Sequence, residues 1–289
     1  MNPISLNTLL SLLKYKVSLA VTFTALTGYI VYSRSFDFQI ISLLLGVFIV
    51  AGGSSALNEF QESKFDSKMA RTMFRPIPSG KISSQNALLI SVLFILTGLA
   101  ILYYSFGSLP ALLGLFNVVW YNLFYTNLKK ITPFAVVPGS LVGAVPVLIG
   151  WSAAGGPILD STIIFIAVFL FIWQIPHFWL LMLKYGKEYE QAGFPCINQS
   201  IRPESLKMII FSWVMATSAI SIAIPLFLRT ISWGFFLVIF ILNISFVLIF
   251  ATLSFGKVAE LNLKKSFISI NVYMILFMVM LIIHHLFHP

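Results

Sequence analysis

Charge is scarce in this chain: 9% of its 289 residues are Asp, Glu, Lys or Arg, against about 25% in soluble globular proteins. So little charge cannot cover a globular surface, which excludes a soluble enzyme or a soluble nucleic-acid-binding domain. Acids are scarcer than bases, 9 against 18. Cysteine is almost absent; Cys196 stands alone and excludes an internal disulfide framework. Low-complexity tracts, polar linkers and separable soluble segments are also missing, so residues 1–289 read as one membrane domain.

What is abundant is apolar mass, 59% hydrophobic and 15% aromatic, with a mean hydropathy of +0.96. Runs long enough to cross a hydrocarbon core of about 30 Å lie near 17–33, 40–57, 86–105, 108–124, 134–152, 162–183, 208–228, 232–254 and 266–287. They predict an all-α polytopic bundle of nine transmembrane helices. The segment MNPISLNTLLSLLKYK before the first run has no small-residue cleavage site and no arginine. It predicts a retained helix in a prokaryotic plasma membrane, not a signal or transit peptide. With the N-terminus cytoplasmic, every Lys and Arg except Arg34 and Arg229 falls on the inner side, as do all acids except Asp37 and Asp160. That asymmetry is the orienting signal of a cytoplasmic face. It accounts for the net charge of +9 without a nucleic-acid partner.

The long connections all lie on that charged face, so the chemistry is expected there. The first reads NEFQESKFDSKMARTMFRPIPSG from Asn58. On a helix, Asn58, Glu62 and Asp66 fall within about 80° of one another. Like charges so spaced repel, and a hard divalent cation would remove the repulsion; magnesium takes oxygen ligands and shares protein carboxylates with substrate phosphates. Arg71 and Arg75, one turn apart beyond the stripe, present forked donors matched to phosphate oxygens. The competing reading is a solvated loop whose charges merely fix topology. Tyr125, Lys129 and Lys130 in YNLFYTNLKKITP offer a second hold for an anion, or a second orienting signal. The loop LKYGKEYEQAG adds Lys187 as an anion ligand and Glu188 as an acid that could face Glu62 across the mouth. In FIWQIPHFWLLM, Trp173, Gln174 and His177 are polar or amphipathic at membrane depth, where such groups face a cavity or a partner helix. His177 is a candidate for iron ligation, proton handling or a helix–helix hydrogen bond. His284, His285 and His288 at the far end read as interfacial.

Several of these motifs together resemble a known family. NEFQESKFDSKMARTMFRP, YTNLKKIT, GAVP followed by Gly150 and Trp151, and WQIPHF are similar to the protoheme IX farnesyltransferases, the heme O synthase branch of the UbiA-type intramembrane prenyltransferases. The matched positions span roughly 55–200. The resemblance implies nine helices around a central cavity, with Asn58, Glu62 and Asp66 at its cytoplasmic mouth holding Mg2+ and a prenyl diphosphate. It implies transfer of farnesyl from farnesyl diphosphate to a vinyl group of heme B with addition of water, and hand-over of the product to a heme A synthase or a terminal oxidase. This sequence departs from the family pattern in having Glu62 where Asp is common, and Glu188 without a clear DxxxD. In such a reaction Tyr121, Tyr125, Trp151, Trp173, Gln174 and Phe178 are candidates to line the cavity and shield an allylic cation, the aromatic faces each contributing about 0.5–2 kcal/mol. The rival readings are a UbiA-type enzyme acting on an aromatic quinone precursor, and a heme-handling protein or transporter without catalysis.

Overall fold

A computed structural model of the chain describes residues 4–197, 201–228, 232–255 and 262–287. Arg229, Lys257, Glu260 and His288 lie outside the described residues. Within them the regular structure is helical. A short α1 (Leu6–Leu12) bends by 58° into α2 (Tyr15–Ser33), and α3 (Gln39–Asp66), α4 (Ser84–Phe106) and α5 (Ser108–Val119) follow. After a π-helical segment come α6 (Leu141–Ala153), α7 (Ser161–Ala192), α8 (Pro203–Ala223), α9 (Trp233–Phe255) and α10 (Leu263–Phe287). Among the described residues eight helices are long and apolar enough to cross a membrane, or nine if α1 and α2 form one bent span. This is the multi-pass all-α bundle the apolar runs predict.

The ends of the helices follow local chemistry. Ser83 Oγ accepts from Asn86 N at the start of α4, and Asp160 Oδ1 accepts from Thr162 N at the start of α7. Gly107, at φ +86°, turns the chain directly from α4 into α5, a left-handed conformation that costs a residue with Cβ. Two helices outrun their expected spans: α3 runs to Asp66 instead of stopping near 57, and α7 to Ala192 instead of near 183. Asn58, Glu59, Glu62 and Asp66 are buried against protein, so their polarity does not end α3 at the lipid boundary.

The long helices pack in a ring, α2 to α10 in chain order, and α10 closes it by packing on both α7 and α2. Near the seam α6 lies almost backbone to backbone on α2. A Cβ built on Gly150 would stand 1.7 Å from Ala25 O. Side chains such as Leu237, Ile241 and Leu248 on α9 point outward and exposed, as a lipid-facing wall requires.

The α8–α10 part is registered by one buried polar knot. Asn243 Oδ1 accepts from Ser218 Oγ at 2.7 Å, Ser221 Oγ at 2.8 Å and Tyr273 Oη at 2.8 Å, while Asn243 Nδ2 donates to Ile239 O. Replacing Asn243 by leucine leaves three hydroxyls competing for fewer acceptors. The expected loss is about 2 kcal/mol, read as a lower unfolding temperature of the detergent-solubilised protein. An unchanged transition would mean the hydroxyls repartner at no cost.

Candidate functional site

The ring encloses a cavity of about 310 Å³. α3 supplies one wall: Val47, Val50, Ser54, Asn58, Glu62 and Asp66 follow one another at helical spacing, apolar at one end and oxygen-rich at the other.

The oxygen-rich end is built from four parts of the chain. Lys14, at the break between α1 and α2, sits at φ 45°, a strained left-handed conformation for a lysine, and its Nζ donates to Asn58 Oδ1 at 2.8 Å. Lys129 Nζ donates to Glu62 Oε2 at 2.7 Å, and Arg75 Nη1 to Asp66 Oδ2 at 2.7 Å. Each member of the stripe is thus met by a basic side chain from elsewhere in the sequence. Burial disfavours charge on Arg75 and Lys129, but the facing carboxylates Asp66 and Glu62 raise both above their ordinary values. Both stay cationic at neutral pH.

Arg75 is held by the loop it sits on. Thr72 Oγ1 donates to Asp66 O, Ser79 Oγ to Arg75 O, and the Ile77 amide to Glu59 Oε1 at 3.0 Å. Arg71 also lines the cavity, with its guanidinium 4.9 Å from the centre of the Tyr185 ring.

Beside α3, the chain widens into a π-helical turn, Trp120–Tyr125. Its hydrogen bonding is anchored to α3: Gln61 Nε2 donates to Asn122 O, Asn122 Nδ2 to Ser54 O, and Ser54 Oγ to Asn122 Oδ1. Thr126 Oγ1 donates to Tyr121 O and accepts from Asn58 Nδ2. Such single π turns recur at functional sites. This one stacks Tyr121 and Tyr125 with ring centres 5.9 Å apart on the cavity wall, with Phe178 next to Tyr125 at 6.2 Å.

α7 contributes Gln174, Phe178, Met182 and Tyr189, a stripe at helical spacing. Gln174 Oε1 is buried without a hydrogen-bond partner, as is Asn117 Oδ1 on the same cavity. Two orphaned acceptors on a cavity wall suit a bound ligand.

Of the residues expected from sequence, Asn58, Glu62, Asp66, Arg71, Arg75, Lys129, Tyr121, Tyr125, Gln174 and Phe178 come together here. The others do not. Lys187 is exposed, and Glu188 spends Oε2 on the Arg71 amide at 3.0 Å; both fall off the stripe that carries Tyr189. Trp173 Nε1 donates to Ile270 O on α10, and Trp151 Nε1 to Pro157 O, so these indoles tie the bundle together instead of lining the cavity. His177 faces α10, its ring centre 4.9 Å from that of Phe267. The expected interfacial pair His284 and His285 is buried, with His284 stacked 4.2 Å from Phe235. Sequence reasoning missed Lys14 and Tyr189 as cavity residues. Tyr189 was legible as the position two turns beyond Met182, whereas nothing local to Lys14 marks its strained backbone.

No group of three His, Cys, Asp or Glu side chains able to cage a metal occurs among the described residues. The donor set nevertheless fits a hard cation: two buried carboxylates and an amide on one helix face, at the cavity mouth, with basic side chains around them. Such an ion would be shared with a ligand's oxygens.

The family model described as UbiA prenyltransferase family matches residues 21–281. The chain is similar to the protoheme IX farnesyltransferase of Geobacter sulfurreducens, 38% identical over 64% of this chain and 68% of the relative. It is similar to that of Bdellovibrio bacteriovorus, 33% identical over 76% and 77%. Among solved structures it is similar to a UbiA homolog from Archaeoglobus fulgidus bound to GPP and Mg2+, at a TM-score of 0.75 and 16% identity, covering 96% of this chain and 99% of that one.

Proposed function

The chain belongs to the UbiA prenyltransferase family, and from that premise we propose that it transfers a farnesyl group from farnesyl diphosphate to a vinyl group of heme B, with addition of water, to give heme O and diphosphate. The observation that carries this reading is the junction of a buried carboxylate–cation cluster with an apolar cavity. Such a junction suits an allylic diphosphate, which is highly charged at one end and hydrocarbon at the other.

Arg71, Arg75, Lys129 and Lys14 would bind the diphosphate, with Arg75 and Lys129 as fixed cations stabilising charge that grows on it as the carbon–oxygen bond breaks. Asn58, Glu62 and Asp66 would hold Mg2+, which adds positive charge against the leaving group when bound. The electron pair leaves with diphosphate. Tyr121, Tyr125 and Phe178 shield the allylic carbon from water, and the vinyl π-bond attacks it to form the new carbon–carbon bond. Water then captures the porphyrin-conjugated cation and loses a proton. We assign His177 a positioning role behind Phe178 (ring centres 5.4 Å apart). The same reading places the site at the cytoplasmic face of a prokaryotic plasma membrane.

The test is chromatography of hemes after purified protein is incubated with heme B, farnesyl diphosphate and Mg2+. A more hydrophobic heme supports the reading. Prenylated 4-hydroxybenzoate in its place would favour a quinone-precursor enzyme, and no Mg2+-dependent diphosphate release would favour a carrier. Because Glu188 caps the Arg71 amide outside the cavity, Glu188→Gln should lower the rate by less than about threefold and leave the Mg2+ dependence unmoved. A rightward shift of the Mg2+ titration would restore Glu188 as a metal ligand.

A further inference from the structure

At the end of the cavity away from Asp66, the wall is apolar and α4 contributes Leu102, whose side chain is fully buried. Leu102 sits between two glycines of neighbouring helices. A Cβ on Gly46 of α3 would lie 2.9 Å from Leu102 Cδ2, and one on Gly114 of α5 would lie 3.3 Å from Leu102 Cδ1. At both positions an added methyl would press on the leucine, so its branched end fills the space between α3 and α5.

From this we infer that Leu102, seated on Gly46 and Gly114, is the stop that sets the length of the prenyl chain this protein accepts. The inference rests on the farnesyl-transfer reading and deepens it. The depth agrees with it. Along α3 the rise from Asn58, at the polar end, to Val47, level with the stop, is about 16 Å at roughly 1.5 Å per residue. Three extended isoprene units measure about 15 Å at ordinary carbon–carbon bond lengths, and a fourth adds about 5 Å. A fifteen-carbon chain therefore reaches the stop and a twenty-carbon chain runs into it. The stop lies far from the carboxylate–cation cluster, so it selects the tail without touching the chemistry at the diphosphate.

The experiment measures binding of geranyl, farnesyl and geranylgeranyl diphosphates to the purified full-length protein in Mg2+ without heme, followed by heme product analysis with the same variants. Leu102→Ala is expected to shift the geranylgeranyl-to-farnesyl affinity ratio about tenfold toward the longer chain. Gly114→Ala, which pushes Leu102 and Leu99 by a few tenths of an ångström, shifts preference toward geranyl and keeps the test alive if Leu102→Ala does not fold. Variants that bind these diphosphates with the parent ranking overturn the stop and leave farnesyl transfer standing. Shifted ranking without any heme product supports the stop and overturns heme as the acceptor. A parent protein that binds no allylic diphosphate overturns both.

Discussion

Asp66→Asn is expected to lower prenyl transfer by about 10³-fold, the magnitude that follows from removing a transition-state charge contact and a metal donor together. Asp66 is 1% exposed and its carboxylate receives Arg75 Nη1 at 2.7 Å. Asparagine preserves shape but leaves that guanidinium facing a neutral amide and deprives a cation of its oxygen charge. Arg75 is itself only partly buried, so water absorbs some of the imbalance and the folded bundle should survive. The measurement is diphosphate release at saturating substrates over a Mg2+ titration, with the unfolding temperature followed in parallel. Release near the parent rate in a folded variant would remove Asp66 from the chemistry and favour the carrier reading. Loss of both rate and fold would instead assign Asp66 to holding the 67–83 loop.

The second large effect falls on the fold. Gly150→Ala should cost more than about 4 kcal/mol and prevent accumulation of folded protein. The added carbon would stand 1.7 Å from Ala25 O, a backbone atom that cannot rotate away, and Gly28 makes the reciprocal approach, its Cβ 2.0 Å from Val147 O. Moving α6 off α2 would pull Pro146 and Ile149 away from the cavity they line. Gly234→Ala is the control, because nothing lies within 4 Å of its Cβ position. Fluorescence-detected size-exclusion of the two variants from membranes decides the matter. A normal monodisperse peak for Gly150→Ala would show that the α2–α6 seam yields at little cost.

Much of the site was readable because periodicity is a local property. Asn58, Glu62 and Asp66 at four-residue spacing had to share a face of any helix that contained them, and the structure extends α3 far enough to contain them. Arg71 and Arg75 followed from their place beyond that stripe. Glu188 and Lys187 carry charge at the depth of the cavity mouth, but the phase of α7 turns them away from the cavity. The phase that brings Gln174, Phe178 and Met182 inward selects Tyr189. Trp151 and Trp173 show the other ambiguity. An indole buried in a membrane bundle needs an acceptor for its N–H, and only the packed neighbours decide whether that is a ligand or, as here, Pro157 O and Ile270 O.

By itself, then, the sequence determined that the chain crosses a membrane repeatedly as helices, since hydrocarbon leaves backbone groups no other partner, and that its oxygen and guanidinium groups concentrate on one face. Tertiary structure alone decided what neutralises the stripe. Lys14, Lys129 and Arg75 come from three separate connections, and their meeting with Asn58, Glu62 and Asp66 depends on a strained turn, a π-helical segment and a pinned loop. It also decided where the cavity ends, because Leu102 becomes a stop only when Gly46 and Gly114 approach it from two other helices. Helical phase is written within a few residues, whereas complementarity between helices is a sum over long-range contacts that no local stretch encodes.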